Sequence, residues 1–251
     1  PLGSAAGYGS SFPLNRTMTA KLLGFDDLNY NVVYAQMGRG KTERIVASAF
    51  ANIAATLGKL SMDAVLFMNQ NFAFISFPDE FTTGSSIMPH KKNPDVFELI
   101  RARCNQLISL PNDIALLTAN LPSGYHRDMQ LLKEKLFPAI QSLKDCLSMM
   151  HLMLSNIRVR ENILAEDQYK LLFSVEEVNK LVIAGVPFRD AYKQVGGAIE
   201  KGDFKAGTQI NHTHEGSIGN LSNDKITAMM ESVLGKFQFE LVEQALTLLL
   251  R

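Results

Sequence analysis

Apolar residues recur at alternating steps of four and three along a stretch that begins near residue 42. The stripe comprises Val46, Phe50, Ile53, Leu57, Leu60, Ala64 and Phe67. A heptad-like stripe of this length is typical of a helix that packs along neighbouring helices in a bundle. An ordinary amphipathic surface helix would explain a shorter run better. The pattern therefore predicts a long bundle helix.

Two further stretches show the same helical spacing. In the first, Asn93 suits an N-cap and Pro94 suits the first helical position. Its apolar face comprises Phe97, Ile100, Cys104, Leu107 and Ile114. The second has a face that comprises Leu132, Leu136, Ile140, Leu143, Leu147, Met150, Leu154 and Ile157. Pro111 and Pro138 predict kinks in these two helices.

The helical segments become shorter after about residue 157. Shorter helices are indicated near 173–184, 188–200 and 223–250, and we find no strand-rich region and no repeat. The pattern predicts a mainly α protein with two domains. The first is a central helical-bundle domain over 1–156, incomplete at its N-terminus, and the second is a small C-terminal helical domain over 157–251.

The charge balance excludes some partner classes. The chain has 25 basic and 25 acidic residues and a formal net charge of zero. A neutral chain gives no reason to expect a nucleic acid or an anionic membrane as partner. No apolar run is expected to reach transmembrane length. Any anionic substrate must therefore be bound by a local cluster of positive groups.

The cysteines and the first residues bear on the cellular context. Cys104 and Cys146 both lie inside helical patterns and are interpreted as buried thiols of a cytoplasmic protein. The chain opens on Pro1, with neither an initiator Met nor a signal sequence. An opening of this kind suggests a fragment of a longer protein.

The segment 84–94 combines hydroxyl groups, cations and a helix start. It reads Gly-Ser-Ser-Ile-Met-Pro-His-Lys-Lys-Asn-Pro. Gly84 and the serines form a hydrogen-bonding turn, and His90, Lys91 and Lys92 then precede the helix. Cations at this position are repelled by the positive end of the helix dipole. The arrangement therefore lowers stability unless an anion lies nearby. The segment is either an anion-binding site or a solvated basic loop before a well-capped helix.

The same segment closely resembles the signature of the fumarase/aspartase superfamily, Gly-Ser-Ser-x-Met-Pro-x-Lys-x-Asn-Pro, within a loop over 78–93. The run Lys-Lys-Asn-Pro-Asp at 91–95 and the block at 121–133 resemble the argininosuccinate lyases in particular. Weaker similarity at 12–16 and 185–191 extends the resemblance over most of the chain. It implies a long-helix bundle with a smaller C-terminal helical domain.

The resemblance assigns roles to residues of the loop and the following helix. Ser85 would be the base that removes a proton beside a carboxylate, and Ser86 would order the loop. Lys91 and Asn93 would hold the succinyl carboxylates, and Lys91 would also stabilise the charged intermediate. Glu98 would orient a general acid–base histidine that precedes residue 1. The 251-residue chain is therefore expected to be inactive alone.

Four more residues are implied as substrate contacts. Tyr125, Gln130 and Lys133 would contact the arginine-side carboxylate and amino group, and Arg16 would bind a carboxylate. Without the resemblance, Tyr125 would be interpreted as a packing aromatic and Lys133 as part of a solvated helix face.

The implied reaction is the β-elimination of argininosuccinate to arginine and fumarate, with no cofactor and no metal. The implied assembly is a homotetramer with shared active sites, in the cytoplasm and without nucleic acid or membrane. The alternatives are adenylosuccinate lyase, another fumarate-releasing lyase of the superfamily, and a non-catalytic structural protein on the same scaffold.

Two other patterns suggest chemistry that the sequence does not support. The run Gly-Arg-Gly-Lys-Thr at 38–42 suggests a phosphate-binding loop, but Ala35 stands where the first glycine is needed. In argininosuccinate lyases an Asp-Arg-Asp-Phe-like stretch is common there, and at Tyr192 the family often has a histidine. His212 and His214 suggest a metal site but have no matching ligand set nearby.

Overall fold

The computed structural model describes residues 4–5, 8–88, 90–205, 207, 210 and 212–249. The chain divides into two compact units. The first comprises Pro1–Val159 with Phe239–Arg251, and the second comprises Arg160–Gln238. The described part is mainly helical, which confirms the expected fold class.

The α-helices of the described part run from α1 to α9 in chain order. They are α1 Arg16–Leu22, α2 Val32–Met37, α3 Lys41–Met68, α4 Asp95–Leu117, α5 Leu132–Ser155, α6 Ser174–Ile183, α7 Phe188–Glu200, α8 Asn223–Leu234 and α9 Phe239–Leu249. Two short strands, β1 Ile75–Ser76 and β2 Arg158–Val159, pair antiparallel. Short 3-10 helices cover Asp79–Phe81, Arg127–Leu131, Ile163–Ala165 and Asp167–Phe173.

Helices α3, α4 and α5 form the core of the first unit. The face of α4 predicted from the sequence is buried throughout, and Leu110 joins it. Against it, α3 buries Ala47, Ala54, Leu57, Ser61 and Ala64. Small side chains at this contact let the two helix backbones approach closely. The buried Ser61 hydroxyl donates to the Leu57 carbonyl at 2.8 Å, so its burial leaves no polar group unpaired.

The buried face of α3 is rotated from the predicted stripe. Ile53, Leu60 and Phe67 lie seven residues apart and are 42%, 37% and 37% exposed. The same occurs on α5, where Leu147 and Leu154 are exposed. The buried residues of α5 are Leu132, Ala139, Leu143, Cys146, Met150 and Met153. The predicted stripes consist mainly of large apolar residues, whereas the observed contacts between helices also bury small residues such as Ala47, Ala54 and Ala139.

By length and composition, α3 is also apolar enough to cross a membrane. The expectation that no apolar run reaches that length is therefore wrong. Core helices of soluble proteins pass the same test when they are mostly buried. Here 22% of the apolar window is buried, so packing against α4 accounts for only part of the apolar character of α3.

The start of α4 differs from the prediction. The helix begins at Asp95, with Pro94 rather than Asn93 at the capping position. The Asn93 side chain bonds instead to the loop that precedes it, as described below. Both α4 and α5 continue as helices through Pro111 and Pro138.

The segment that suggested a phosphate-binding loop has a structural role. Residues Val32–Met37 form a helix capped by Asn31, not the strand that a phosphate-binding loop would follow. Gly40 then begins α3 with a φ of +83°, and its N–H donates to the Glu43 carboxylate at 2.7 Å. Arg39 donates to Glu43 and to the Met129 carbonyl. The segment therefore fixes the direction in which α3 starts.

The two cysteines are buried on facing helices of the first unit. Both Cys104 and Cys146 are free thiols and belong to the core, as the sequence indicated. Burial raises the pKa of the Cys104 thiol to about 11. A buried thiol with a raised pKa stays protonated and acts as a small apolar side chain.

The second unit has a small core of its own. Helices α6 and α7 pack through Val178, Ala191 and Val195. The unit ends at Gln238, because the last helix, α9, contacts α1 of the first unit. The C-terminal domain predicted over 157–251 therefore starts near the observed boundary but extends past the observed end of this unit. The predicted helix over 223–250 is divided into α8 and α9.

We expect Gly40→Ala to lower the free energy of unfolding by about 1–3 kcal/mol. An added Cβ would lie 2.6 Å from Cγ2 of Thr118, on a backbone with positive φ. Gly58→Ala, within α3, is the control, since its added Cβ would meet Cys104 at an ordinary 3.5 Å. Urea titration of both variants measures the difference, and equal stabilities would contradict this account of Gly40.

Candidate functional site

The segment 84–92 forms a loop whose two ends are held together, and we call it the signature loop. The Asn93 N–H donates to the Thr83 carbonyl at 2.9 Å, and its side-chain amide donates to the Gly84 carbonyl at 3.2 Å. The Thr83 hydroxyl donates to the Asp95 carboxylate at the start of α4. The loop is thereby fixed to the helix that follows it. Pro89 lies outside the described residues.

The two adjacent lysines of the loop differ in their partners. Lys92 forms an ion pair with Asp79, and its proximity holds the pKa of that carboxyl below the usual range. Within the part of the chain that the structure describes, no carboxylate lies within ion-pair distance of Lys91. The charge of Lys91 is therefore available to an anionic ligand.

The Ser85 hydroxyl has an environment that suits a developing negative charge. Its oxygen accepts hydrogen bonds from the N–H groups of Ile87 at 3.2 Å and Met88 at 3.1 Å. Two N–H donors stabilise an alkoxide more than a neutral hydroxyl. The turn that holds Ser85 thus also favours the deprotonated form that a serine base requires. Ser86, beside it, is exposed.

A cavity of about 530 Å³ lies between the end of α3 and the signature loop. Its walls are Val65, Met68, Asn69, Gln70, Met88, His90, Lys91, Lys92, Asn93 and Pro94. A lining that combines apolar side chains with cationic and amide groups suits a small carboxylate. A cavity of about 540 Å³ on α9 is lined partly by Glu240 and Glu243, which would repel an anion.

Gln70 and His90 are among the residues of the loop cavity to which the sequence analysis assigned no role. Gln70 comes from the residues just after α3, and His90 comes from the loop itself. The position of Gln70 could not be inferred, because it depends on how α3 ends beside the loop. His90 was noted only as one of three cationic groups.

A second group of predicted residues lies before and at the start of α5. The Gln130 side chain donates to the Tyr125 hydroxyl at 2.8 Å, so two of the expected substrate contacts are already in contact with each other. Tyr125 is 62% exposed and is not part of the core. Lys133 is exposed in the first turn of α5, while Met129 is buried and anchors the segment.

The structure does not join these two groups. Among the described residues, no hydrogen bond or ion pair links Ser85, Lys91 or Asn93 with Tyr125, Gln130 or Lys133. Glu98 is exposed in the first turn of α4. The Arg16 guanidinium donates to the carbonyls of Asn29 and Tyr30 at 2.6 and 3.1 Å. Among the predicted site residues, Lys91 and Asn93 line the loop cavity, whereas Ser85 is on the same loop but is not among the described lining residues. Tyr125 and Gln130 form a separate pair, and the others occupy single positions.

Comparison with known proteins identifies the family. A family model described as lyase matches residues 1–109. Argininosuccinate lyase from Parabacteroides distasonis is 66% identical over 98% of this chain and 55% of the relative. The chain belongs to the argininosuccinate lyase family. It spans about half the length of the family members that it matches, with 55% of the length covered.

Solved structures confirm the superfamily fold. EDDS lyase in complex with formate matches with a TM-score of 0.67 and 25% identity, over 80% of this chain and 41% of that protein. Class II fumarase from Schistosoma mansoni matches with a TM-score of 0.61 and 17% identity, over 80% of this chain and 46% of that one. The expected helical bundle of the fumarase/aspartase superfamily is therefore confirmed.

The two adjacent lysines provide a matched test of anion binding in this family member. We expect Lys91→Met to weaken binding of succinate to the loop cavity roughly tenfold or more, because a charged hydrogen bond contributes about 1.5–3 kcal/mol. Lys92→Met should change the affinity less, because Asp79 already pairs with that charge. Isothermal titration calorimetry measures both. Equal losses from the two variants would show that Lys91 has no special role.

Proposed function

We propose that a polypeptide of the relatives' length that contains this chain is an argininosuccinate lyase. It would eliminate fumarate from argininosuccinate and release arginine. The observation that carries the proposal is the signature loop. It contains a Ser85 hydroxyl supported by two N–H donors, and its Lys91, whose charge no described carboxylate neutralises, lines the loop cavity. The 66% identity to an argininosuccinate lyase supports the choice of substrate.

The chemistry requires a base, fixed positive charge and an acid. Removing a proton beside a carboxylate places a second negative charge on a group that is already an anion. In the proposal, Ser85 accepts the proton while Lys91 and Asn93 bind the carboxylates of the succinyl part. The leaving guanidino nitrogen needs a proton donor. Glu98 would orient a histidine for acid–base steps from a part of the polypeptide outside these 251 residues.

The arginine side of the substrate would be bound by the second group of residues. The hydrogen bond between Gln130 and Tyr125 holds both polar ends at the surface before α5, with Lys133 in the following turn. An exposed hydroxyl, an amide and an ammonium group suit an amino acid's carboxylate and amino groups. Arg16 is also proposed to bind a carboxylate, although its guanidinium donates to two backbone carbonyls here.

The proposed assembly is a homotetramer with active sites shared between subunits, located in the cytoplasm. Three large apolar residues of α3, namely Ile53, Leu60 and Phe67, lie exposed at heptad spacing. Leu147 and Leu154 of α5 show the same spacing. Stripes of this kind are typical of helices that pack against a partner helix. An assembly would also bring the two separate groups of site residues together from different subunits. No cofactor, metal, nucleic acid or membrane is part of the proposal.

The matched serines of the signature loop test the catalytic proposal. In the longer polypeptide, Ser85→Ala should abolish fumarate release from argininosuccinate while substrate binding and folding persist. Ser86→Ala should cause a much smaller loss, since its role is to order the loop. Absorbance of fumarate measures turnover, and calorimetry measures binding.

Two further assays complete the experiment. Adenylosuccinate in place of argininosuccinate should give no fumarate, and its cleavage would contradict the assignment of the Tyr125 and Gln130 pair. The 251-residue chain alone should be inactive. Undiminished turnover by Ser85→Ala would show that another group is the base.

Neighbouring residues of α3 test the assembly. Leu60→Glu places a charge within the exposed apolar stripe and should convert the tetramer to smaller species. Lys59→Glu changes the charge of an adjacent exposed residue and should leave the tetramer intact. Light scattering at micromolar concentration measures the molar mass of both variants of the longer polypeptide. An unmutated protein that is a stable monomer would refute the proposed assembly.

A further inference from the structure

Three polar side chains of the second unit form a continuous hydrogen-bonded chain. The Nδ1 atom of His212 lies 2.7 Å from the Ser217 hydroxyl oxygen. Its Nε2 atom lies 3.0 Å from the Glu176 carboxylate, on the first turn of α6. None of these residues belongs to the signature loop or to the Tyr125 and Gln130 pair. The function proposed above gives them no role.

The partners fix the tautomer of a neutral His212. A carboxylate can only accept, so Nε2 must carry the hydrogen that is donated to Glu176. Nδ1 then has a lone pair and accepts the Ser217 hydroxyl hydrogen. A serine that donates to an imidazole, itself oriented by a carboxylate, has the arrangement of an activated nucleophile.

A tight turn holds Ser217 in this position. The Ser217 N–H donates to the His214 carbonyl at 3.3 Å, and its carbonyl accepts from Asn220 at 2.9 Å. Gly216 and Gly219 flank the serine with φ values of +81° and +91°. Since positive φ is unfavourable for other residues, the glycines on both sides fit a turn built to present this serine.

The three side chains are reachable from solvent. The side chains of His212 and Glu176 are 33% and 22% exposed, so the imidazole is held by its partners without being enclosed. Ser217 is half-buried, and the next residue, Ile218, is 61% exposed. An apolar side chain beside the hydroxyl offers a contact for a short acyl chain.

We propose that Ser217 is a nucleophilic centre, which accepts the acyl group of small activated esters. Ser217 Oγ attacks the ester carbonyl, and its proton passes to Nδ1 of His212, whose positive charge the Glu176 carboxylate stabilises. The carbon–oxygen bond to the alcohol breaks, and the alcohol leaves with the proton from Nδ1. Water then attacks the acyl-serine by the same route and releases the acid. This activity is independent of the proposed lyase function.

The experiment uses the 251-residue chain with a fluorophosphonate probe and with p-nitrophenyl acetate. The probe should label Ser217, as located by mass spectrometry of the unmutated protein. Ser217→Ala should abolish labelling and ester turnover. His212→Gln should lower the labelling rate on the order of a hundredfold, the usual contribution of a general base. Glu176→Gln should lower it roughly tenfold or more, because the orientation of the imidazole is lost.

Matched controls separate this reaction from surface acylation. Ser232→Ala changes an exposed serine of the same unit and His151→Gln changes an exposed histidine of α5, and both variants should react as the unmutated chain does. Circular dichroism establishes that each variant is folded. Absence of the probe from Ser217 in the unmutated protein would overturn the proposal, as would labelling of Ser217 that does not depend on His212.

Discussion

The close packing of α3 against α4 is the contact on which the first unit depends. Small residues on α3 meet the larger buried face of α4, and this sets the separation of the two helices. Gly40 fixes how α3 enters the contact, and its Cα hydrogen lies where a methyl group would overlap Thr118. The contact with α4 and the start at Gly40 together position α3. The C-terminal end of α3 forms one wall of the loop cavity.

The signature loop places cationic side chains next to the positive end of a helix dipole. Its lysines stand just before the start of α4, where the helix dipole is unfavourable for cations. Asp79 neutralises Lys92, and the Thr83–Asp95 contact fastens the loop base. Lys91 is left without such compensation among the described residues, so a bound anion would relieve the unfavourable electrostatics. The same loop supplies the N–H groups that support Ser85.

The sequence predicted the helical class, the face of α4 and the position of the signature loop. It did so because helix periodicity and a dense local motif are both readable from neighbouring residues. The buried face of α3 is rotated from the predicted stripe, since the buried Ala47 and Ala54 have little weight in an apolar pattern. The hydrogen bond that Asn93 makes to Gly84 and the contribution of Gln70 to the cavity depend on contacts made across the fold. Those contacts leave no local signal.

The closed base of the signature loop has a consequence for how the sequence can change. Because Asn93 bonds back to Thr83 and Gly84, residues 84–92 begin and end at nearly the same place. A loop closed in this way can vary in length at a small cost in closure entropy while the residues that close it stay in place. Residues 84–92 can therefore be exchanged between relatives as one unit. Such an exchange would alter the groups that line the loop cavity while α3 and α4 keep their packing.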